Sequence, residues 1–301
     1  MARESRESLD GGDGPGLEPR TILRFWLPLA ATWLMMATEG PFVAALVARM
    51  PEPMYNLAAF GVALAFAFVI EAPIIMLLAA TTALARDRES LGRVRRFSIV
   101  MNGGVTAAMA LVALPPVFDL LASRVLALPP AVADRAHLAV AVFLPWPAAI
   151  GFRRFQQGIL IGAGQTRLVA YGTAVRLSTM ATTGLALFLH GGLDGAVVGA
   201  AALSTGVVVE AGASWAWARD ARRRLELRPP ASAGEVPTLA DVQRFYWPLA
   251  VTPLMNMAAQ PLVTFFVGRG HLPIESLAVL PVVNSFGFLF RDEFQSQVDL
   301  A

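Results

Sequence analysis

The sequence contains no cysteine and no lysine, and only 15% of its 301 residues are charged. The absence of cysteine excludes disulfides and thiolate metal sites. A charged fraction this low argues against a soluble domain, in which about a quarter of the residues are charged. Hydrophobic residues instead make up 56% of the chain, and the mean hydropathy is +0.58. The composition therefore predicts a membrane protein built from apolar helices.

Apolar runs long enough to cross a bilayer recur along the chain and predict an all-α, polytopic fold with about eight transmembrane helices. A polar leader without the apolar core of a signal peptide precedes them. A shorter apolar stretch between two proline pairs, at 117–128, is predicted to lie along the membrane interface. The spans are placed at 22–48, 57–84, 97–117, 136–160, 167–190, 195–218, 243–268 and 275–290.

The same runs divide the chain into four segments. Residues 1–20 are a disordered leader, and residues 21–218 are a first bundle of six helices. A charged, then proline- and alanine-rich linker follows at 219–240. Residues 241–301 are the first two helices of a second bundle.

The arginines predict the orientation of the chain in its membrane. With these spans, 19 of the 24 arginines lie on one face and four lie on the other. The 19 include Arg153 and Arg154, which are counted with the loop between the fourth and fifth spans. By the positive-inside rule, both termini are cytoplasmic. The predicted location is the inner (plasma) membrane of a cell, and the lipid bilayer is the first partner.

One stretch of the chain occurs twice. Residues 24–30 (RFWLPLA) return as residues 244–250 (RFYWPLA), at an offset of 220 positions. Six spans separate the two copies, so both enter the membrane from the same side. The halves are therefore predicted to be parallel repeats, related by an axis along the membrane normal. The same offset pairs Pro41 with Pro261, Arg49 with Arg269, Pro53 with Pro273 and Phe66 with Phe286.

Four ionisable residues fall inside predicted spans, and they are the candidate coupling and substrate-cavity residues. A charge in the bilayer core costs at least a few kcal/mol, so such residues face a cavity or one another. Prolines, which open a helix locally, follow two of these residues closely, and a third proline is the repeat counterpart of one of those prolines. The four are Glu39, Glu71, Arg176 and Glu210, and the helix-breaking prolines are Pro41, Pro73 and Pro261.

Each of these residues has more than one interpretation. Glu39 either binds a proton or cation beside freed carbonyls or is only hydrogen-bonded in the packing. Arg176 either pairs with Glu39 or Glu71 or holds an anionic substrate. Glu71 is a candidate for the ion pathway, and its repeat counterpart is Arg291. Glu210 lies nearer the cytoplasmic end of its span and is expected to snorkel unless it has a role in transport.

Other patterns predict packing or exclude chemistry. The GxxxG spacings of Gly158 with Gly162 and of Gly195 with Gly199 favour close helix packing. Residues 162–167 (GAGQTR) lack the Lys-Ser/Thr of a phosphate-binding loop. The three histidines lie too far apart in sequence for a local metal motif, and no acid–base or nucleophile arrangement occurs. We expect no enzyme, no bound metal, no organic cofactor and no nucleic-acid partner.

Two stretches, 152–158 (FRRFQQG) and 164–167 (GQTR), resemble the loop after the fourth helix of multidrug and toxic compound extrusion (MATE) proteins. The repeated openings, with Pro41 and Arg49, are similar to the progressive ankylosis family. Both families belong to the multidrug/oligosaccharidyl-lipid/polysaccharide (MOP) flippase superfamily, and the second carries a glutamate at the place of Glu39. The resemblance covers about residues 22–290.

The resemblance implies two six-helix bundles that carry a substrate between them by alternating access. MATE-like members export small organic solutes and couple export to proton or sodium entry. The progressive ankylosis resemblance implies organic anions or phosphates instead, and a flippase for lipid-linked substrates is a further alternative. Glu39 maps to Ala259 in the second copy, so coupling is expected to depend on the first bundle. The oligomeric state stays open.

The end of the repeat is unusual. The apolar part of the eighth span, at 277–290, is shorter than the about 20 residues of a comfortable crossing, and residues 292–301 (DEFQSQVDLA) are polar. We therefore expect an incomplete transporter that lacks four helices of its second bundle. The alternatives are a natural eight-span protein that dimerises to complete the cleft and a non-transporting membrane fragment.

Overall fold

The computed structural model describes residues 26–27, 31–32, 34–229 and 238–298, with side chains as far as residue 287 in the last segment. The predicted leader at 1–20 lies outside the described residues. So do most of the first repeated opening, the linker residues 230–237 and the side chain of Arg291, so the predictions made for them are not examined by the structure.

The described chain is helical and contains no strand within these ranges. The predicted all-α architecture is therefore confirmed. A 3₁₀ turn at Ala72–Ile74 joins the helices Pro53–Glu71 and Leu77–Leu84, and a π turn at Leu121–Val125 follows the helix Pro115–Leu120. The helices are α1 (Glu39–Val47), α2 (Pro53–Glu71), α3 (Leu77–Leu84), α4 (Arg88–Ala113), α5 (Pro115–Leu120), α6 (Pro130–Val142), α7 (Trp146–Gly162), α8 (Thr166–His190), α9 (Gly195–Leu227), α10 (Leu239–Val267) and α11 (Pro273–Val298).

Five helical stretches within the described ranges are long and apolar enough to cross a membrane, which makes the chain a multi-pass membrane protein. The helix at Leu34–Val47, in the predicted first span, is apolar but shorter. The predicted fifth and eighth spans are present as α8 and α11 but are not among the five. The five are Pro53–Leu84, Arg88–Ala113, Pro130–Gly162, Gly195–Leu227 and Leu239–Val267.

Two of the three predicted helix breaks are present. Pro41 has no N–H for the carbonyl four residues earlier, and the helix is interrupted by a turn at Thr38, just before Glu39. Pro73 lies in the 3₁₀ turn that ends α2 at Glu71. The prediction for Pro261 is wrong, because α10 continues through it. Transmembrane helices tolerate proline where local adjustments satisfy the freed carbonyl.

Two helices extend beyond the predicted spans. Asp87 caps α4, its carboxylate accepting from the N–H groups of Glu89 and Ser90 at 2.9 Å each. The helix therefore begins at Arg88, before the predicted start of the third span at 97. The helix α9 continues through Leu227, past the predicted end of the sixth span at 218. The first part of the predicted linker is therefore helical.

The two repeat copies pack against each other in a reciprocal manner. The first-copy helix α1 contacts α11, and its second-copy counterpart α10 contacts α2, the counterpart of α11. Gly61 and Pro281 are equivalent at the offset of 220, and they touch: a Cβ built on Gly61 lies 3.4 Å from the Cβ of Pro281. A residue that contacts its own equivalent lies near the axis that relates the copies.

A hydrogen bond also joins the second copy to the break in the second span. The hydroxyl of Tyr246 on α10 donates to the carbonyl oxygen of Pro73 in the 3₁₀ turn. Tyr246 is fully buried and its ring packs edge-on against Phe97 of α4, with centroids 4.8 Å apart. The broken segment of the second span is thus anchored from the seventh.

The two glycines of the first GxxxG motif have different surroundings. A Cβ on Gly158 would lie 2.6 Å from the Cβ of Thr81 and 2.8 Å from the carbonyl oxygen of Leu78, so α7 meets α3 backbone to backbone here. A Cβ on Gly162 would find its nearest neighbour, the carbonyl oxygen of Thr82, at 3.9 Å. Only the first position needs glycine for packing.

We expect Gly158→Ala to lower the free energy of unfolding by about 1–3 kcal/mol, since the added methyl group must displace backbone. Gly162→Ala is the matched control in the same helix and is expected to be neutral or slightly stabilising, because alanine favours helix over glycine. Thermal unfolding of the purified protein in detergent measures both. Equal melting temperatures for the two variants would contradict the assigned packing.

Candidate functional site

The predicted ionisable residues come together in one buried network. Glu39 at the start of α1 and Arg176 in the middle of α8 form an ion pair, with Arg176 Nη2 donating to Glu39 Oε2. This is one of the two pairings that the sequence left open for Arg176. Local chain geometry places Glu39 there, since α1 restarts at Glu39 after the turn at Thr38.

A second ion pair joins the network through α9. Arg153 Nη1 on α7 donates to Glu210 Oε2 at 2.6 Å, and Gln157 Nε2, one turn further along α7, donates to Glu210 Oε1 at 3.2 Å. Arg176 Nη1 lies 3.9 Å from Glu210 Oε2. Glu210 is therefore held from α7 and approached from α8.

Glu71 is attached to the network by an indole. Trp146 Nε1, at the start of α7, donates to Glu71 Oε2, and the Arg176 guanidinium carbon lies 5.6 Å from the centroid of the Trp146 ring. Within the described ranges Glu71 makes no ion pair. The indole thus contacts an acid on one side and a cation on the other, which connects Glu71 to Arg176 indirectly.

The network is shielded from solvent. Ion pairs at such a depth cost several kcal/mol per ion in desolvation, which hydrogen bonds and close geometry must offset. Removing one member would leave its partner as an uncompensated buried charge. The relative exposures are 6% for Glu39, 5% for Glu71, 1% for Arg153, 4% for Arg176 and 0% for Glu210.

Several buried atoms of the network have no hydrogen-bond partner among the described residues. They are Glu39 Oε1, the Nε atoms of Arg153, Arg154 and Arg176, and Arg176 Nη1. Among these atoms Glu39 Oε1 is an acceptor, and the others are N–H donors. The same part of the chain holds no group of three His, Cys, Asp or Glu side chains placed to bind a metal ion. The free carboxylate oxygen of Glu39 can accept a proton.

Two predictions about this region are wrong. Glu210 does not snorkel, because α9 continues well past it to Leu227 and Arg153 neutralises it inside the bundle. Arg153 is not part of a loop, because α7 continues to Gly162 and places its guanidinium in the core. The sequence contains the signal for this: Arg153 lies within the predicted fourth span, 136–160, just as Arg176 lies within the fifth, so the cost of burying its charge also marks it as a candidate site residue.

Sequence reasoning also missed two neutral members, Trp146 and Gln157. Neither carries a charge, so no cost of burial singles it out. The position of Trp146 between Pro145 and Pro147 is the one local sign, since Pro147 at the second helical position fixes where α7 begins.

The comparisons with known proteins give little at the level of sequence. No protein-family model matches the chain, and no curated protein matches it significantly. A similar solved structure is described as the inward-facing conformation of a multidrug resistance MATE family transporter of the MOP superfamily. The TM-score is 0.49 and the identity 16%, over 85% of this chain and 56% of that one. The chain thus spans about half the length of that transporter, and the progressive ankylosis resemblance stays a prediction.

Proposed function

We propose that this chain is part of a secondary-active membrane exporter of small organic solutes, coupled to protons or sodium ions. The observation behind the proposal is the buried network of Glu39, Arg176 and Glu210, which spans α1, α8 and α9 of a multi-pass membrane protein. Ionisable side chains inside membrane helices are expensive and typically lie on ion or substrate pathways. The MATE-like motifs in the sequence support alternating access as the mode of transport.

Glu39 is the proposed coupling carboxylate. It follows directly on a helix interruption, one of its oxygens is bound to Arg176, and the other has no partner in the described part of the chain. Arg176 and Glu71 are its proposed cavity partners. A carboxylate held this way changes its surroundings when it gains or loses a cation, and the adjacent break lets the helix respond.

The organic-anion alternative has weaker support. An anion at Arg176 would have to compete with Glu39, which already occupies one arm of the guanidinium, and with Glu210 at 3.9 Å from the other. Competition by citrate, pyrophosphate or nucleotides in a transport assay would favour this alternative. A cation-gradient requirement without such competition would favour the proposed exporter.

The test is gradient-driven efflux of a lipophilic cationic dye from proteoliposomes. We expect Glu39→Gln to reduce coupled efflux to the level of protein-free vesicles, since the amide does not take up a proton and has no negative charge to attract a cation. Glu89→Gln, at an exposed carboxylate in the first turn of α4, is the matched control and should leave efflux unchanged. Coupled efflux that survives in a folded Glu39→Gln variant would remove Glu39 from the mechanism. Absence of flux with the unaltered chain would favour the non-transporting alternative.

A further inference from the structure

Arg176 lies between two carboxylates and is hydrogen-bonded to one of them. Its Nη2 donates to Glu39 Oε2, while its Nη1 lies 3.9 Å from Glu210 Oε2 and has no hydrogen-bond partner among the described residues. An N–H···O bond needs about 2.7–3.2 Å. A shift of the guanidinium by roughly 1 Å would therefore close a bond to Glu210.

Glu210 has capacity for a second guanidinium. Its oxygens accept from Arg153 Nη1 and Gln157 Nε2, whereas an ionised carboxylate has about four acceptor sites. A carboxylate shared by two arginines is neutralised from both sides. The existing bonds hold Glu210 in place, so Arg176 is the member free to move.

Two glycines bring α8 and α9 close enough for this exchange. A Cβ on Gly206 of α9 would lie 3.0 Å from the backbone oxygen of Arg176, and a Cβ on Gly172 of α8 would lie 3.4 Å from Glu210 Oε1. A Cβ at position 206 would press on the backbone of Arg176, whereas a Cβ at position 172 would be in ordinary van der Waals contact with Glu210. The approach of the two helices at this level keeps the second carboxylate within reach of Arg176.

We propose that Arg176 is a tethered cation that moves from Glu39 to Glu210 when Glu39 takes up a proton. The inference rests on the proposed function, because it takes Glu39 as the coupling carboxylate, and it names the proton as the coupling ion. The proton comes from water and converts the Glu39 carboxylate to a neutral acid. The ion pair of Arg176 with Glu39 breaks, and a charge-assisted bond to Glu210 replaces it.

The groups around Glu39 favour a proton over a sodium ion. Arg176 from α8 and Arg153 from α7 face Glu39, as does the Glu210 carboxylate from α9. From α11 the described neighbour at this level is Ser285, against Gly40, and from α2 Glu71 is bonded to Trp146. A sodium ion at Glu39 would need several oxygen ligands, and the Arg176 guanidinium beside it offers only N–H donors. A proton adds to the unpartnered Oε1 without needing further oxygen ligands.

The exchange transmits the protonation of Glu39 to helix packing. Breaking the Glu39 pair releases α1 from α8, and the new bond ties α8 more firmly to α9. Because α1 also packs on α11 of the second copy, its release changes the contact between the two copies. Arg176 is thus a positioning residue, which acts through its two carboxylate partners.

Trp146 provides a readout that needs no transport. The ring lies 5.6 Å from the Arg176 guanidinium, so movement of the cation changes the magnetic and electric environment of the indole. The protein is labelled with 5-fluorotryptophan and titrated from neutral to acidic pH in lipid nanodiscs. The chain has six tryptophans, and loss of a ¹⁹F resonance in Trp146→Phe identifies the one of interest.

We expect the Trp146 resonance to shift with a single acidic transition in the unaltered protein. In Glu39→Gln it should stay at the acidic position at every pH, and in Glu210→Gln the shift should be lost. If Glu210→Gln does not fold, Glu210→Asp is the substitute. It keeps the negative charge but holds the carboxylate further from Arg176, so a smaller shift of the resonance is expected. Replacing choline chloride by sodium chloride at constant pH should leave the resonance in place.

Several results would overturn the inference. They are a pH-independent Trp146 resonance, a transition that Glu39→Gln leaves unchanged, and a sodium-dependent shift. Because Glu71 accepts a bond from Trp146, a transition abolished by Glu71→Gln would assign the proton to Glu71 and also refute the exchange. If Trp146 does not respond while Glu39→Gln still abolishes efflux, the inference fails alone. If Trp146 responds but no efflux occurs, the proposed function fails and the exchange stands.

Discussion

Arg153→Met is expected to lower the free energy of unfolding by about 3–5 kcal/mol, the range for breaking one member of a buried ion pair. The methionine fills much of the volume but leaves Glu210 charged, fully buried and without the bond at 2.6 Å. The remaining hydrogen bond from Gln157 is neutral, and Arg176, at 3.9 Å from Glu210 Oε2, is already paired with Glu39. Chemical unfolding in mixed micelles, followed by circular dichroism, measures the loss.

The matched double variant separates charge from packing. Arg153→Met with Glu210→Leu removes both charges together, and replacing a buried pair by apolar residues of similar size is often neutral or stabilising. We expect it to recover most of the stability that the single variant loses. Arg167→Met, at an exposed arginine early in α8, controls for the loss of one positive charge. A single variant that loses less than about 1 kcal/mol would contradict the assigned burial of the pair.

A disulfide between positions 61 and 281 is expected to form spontaneously in the double variant Gly61→Cys with Pro281→Cys and to abolish transport reversibly. The Cβ separation of 3.4 Å is close to the roughly 3.5–4.5 Å found in disulfides. The bond would fix α2 to α11, and alternating access requires the two copies to move relative to each other. The absence of native cysteine makes the two introduced thiols the only ones in the sequence.

Thiol labelling with a maleimide, with and without reductant, measures bond formation, and dye efflux measures its effect. Gly61→Cys with Val279→Cys is the control pair, since Val279 lies on the exposed face of the same helix and its thiol should stay reduced. The single Pro281→Cys variant reports the effect of losing the proline. Efficient cross-linking with unchanged efflux would show that this contact does not open during transport.

The sequence supports some parts of the fold and the site strongly because their physical requirements are severe. Apolar runs of sufficient length define helices in a membrane, and Glu39 and Arg176 need a partner wherever they are buried. Their pairing follows from the cost of isolated charge in hydrocarbon. The break near Pro73 follows from a missing N–H.

Other features depend on distances that the sequence does not contain. Whether Arg153 reaches the core or the loop is decided by where α7 ends, and helix ends are predicted only to within a few residues. The snorkelling predicted for Glu210 is wrong for the same reason, because α9 extends to Leu227, past the predicted end of its span. Trp146 carries no charge to reveal it, and the continuity of α10 through Pro261 depends on neighbours that satisfy its backbone.

The contact between Gly61 and Pro281 joins two unlike residues at equivalent positions of the two copies. A homodimer of a single-copy protein would place the same residue on both sides of its axis. Glycine opposite glycine would leave a gap there, and proline opposite proline would bring two rings into the space of one. One glycine opposite one proline, with the glycine Cβ position 3.1 Å from the ring, is a contact that a symmetric homodimer of one copy could not make at its axis. The close packing here therefore depends on a sequence difference between the two copies.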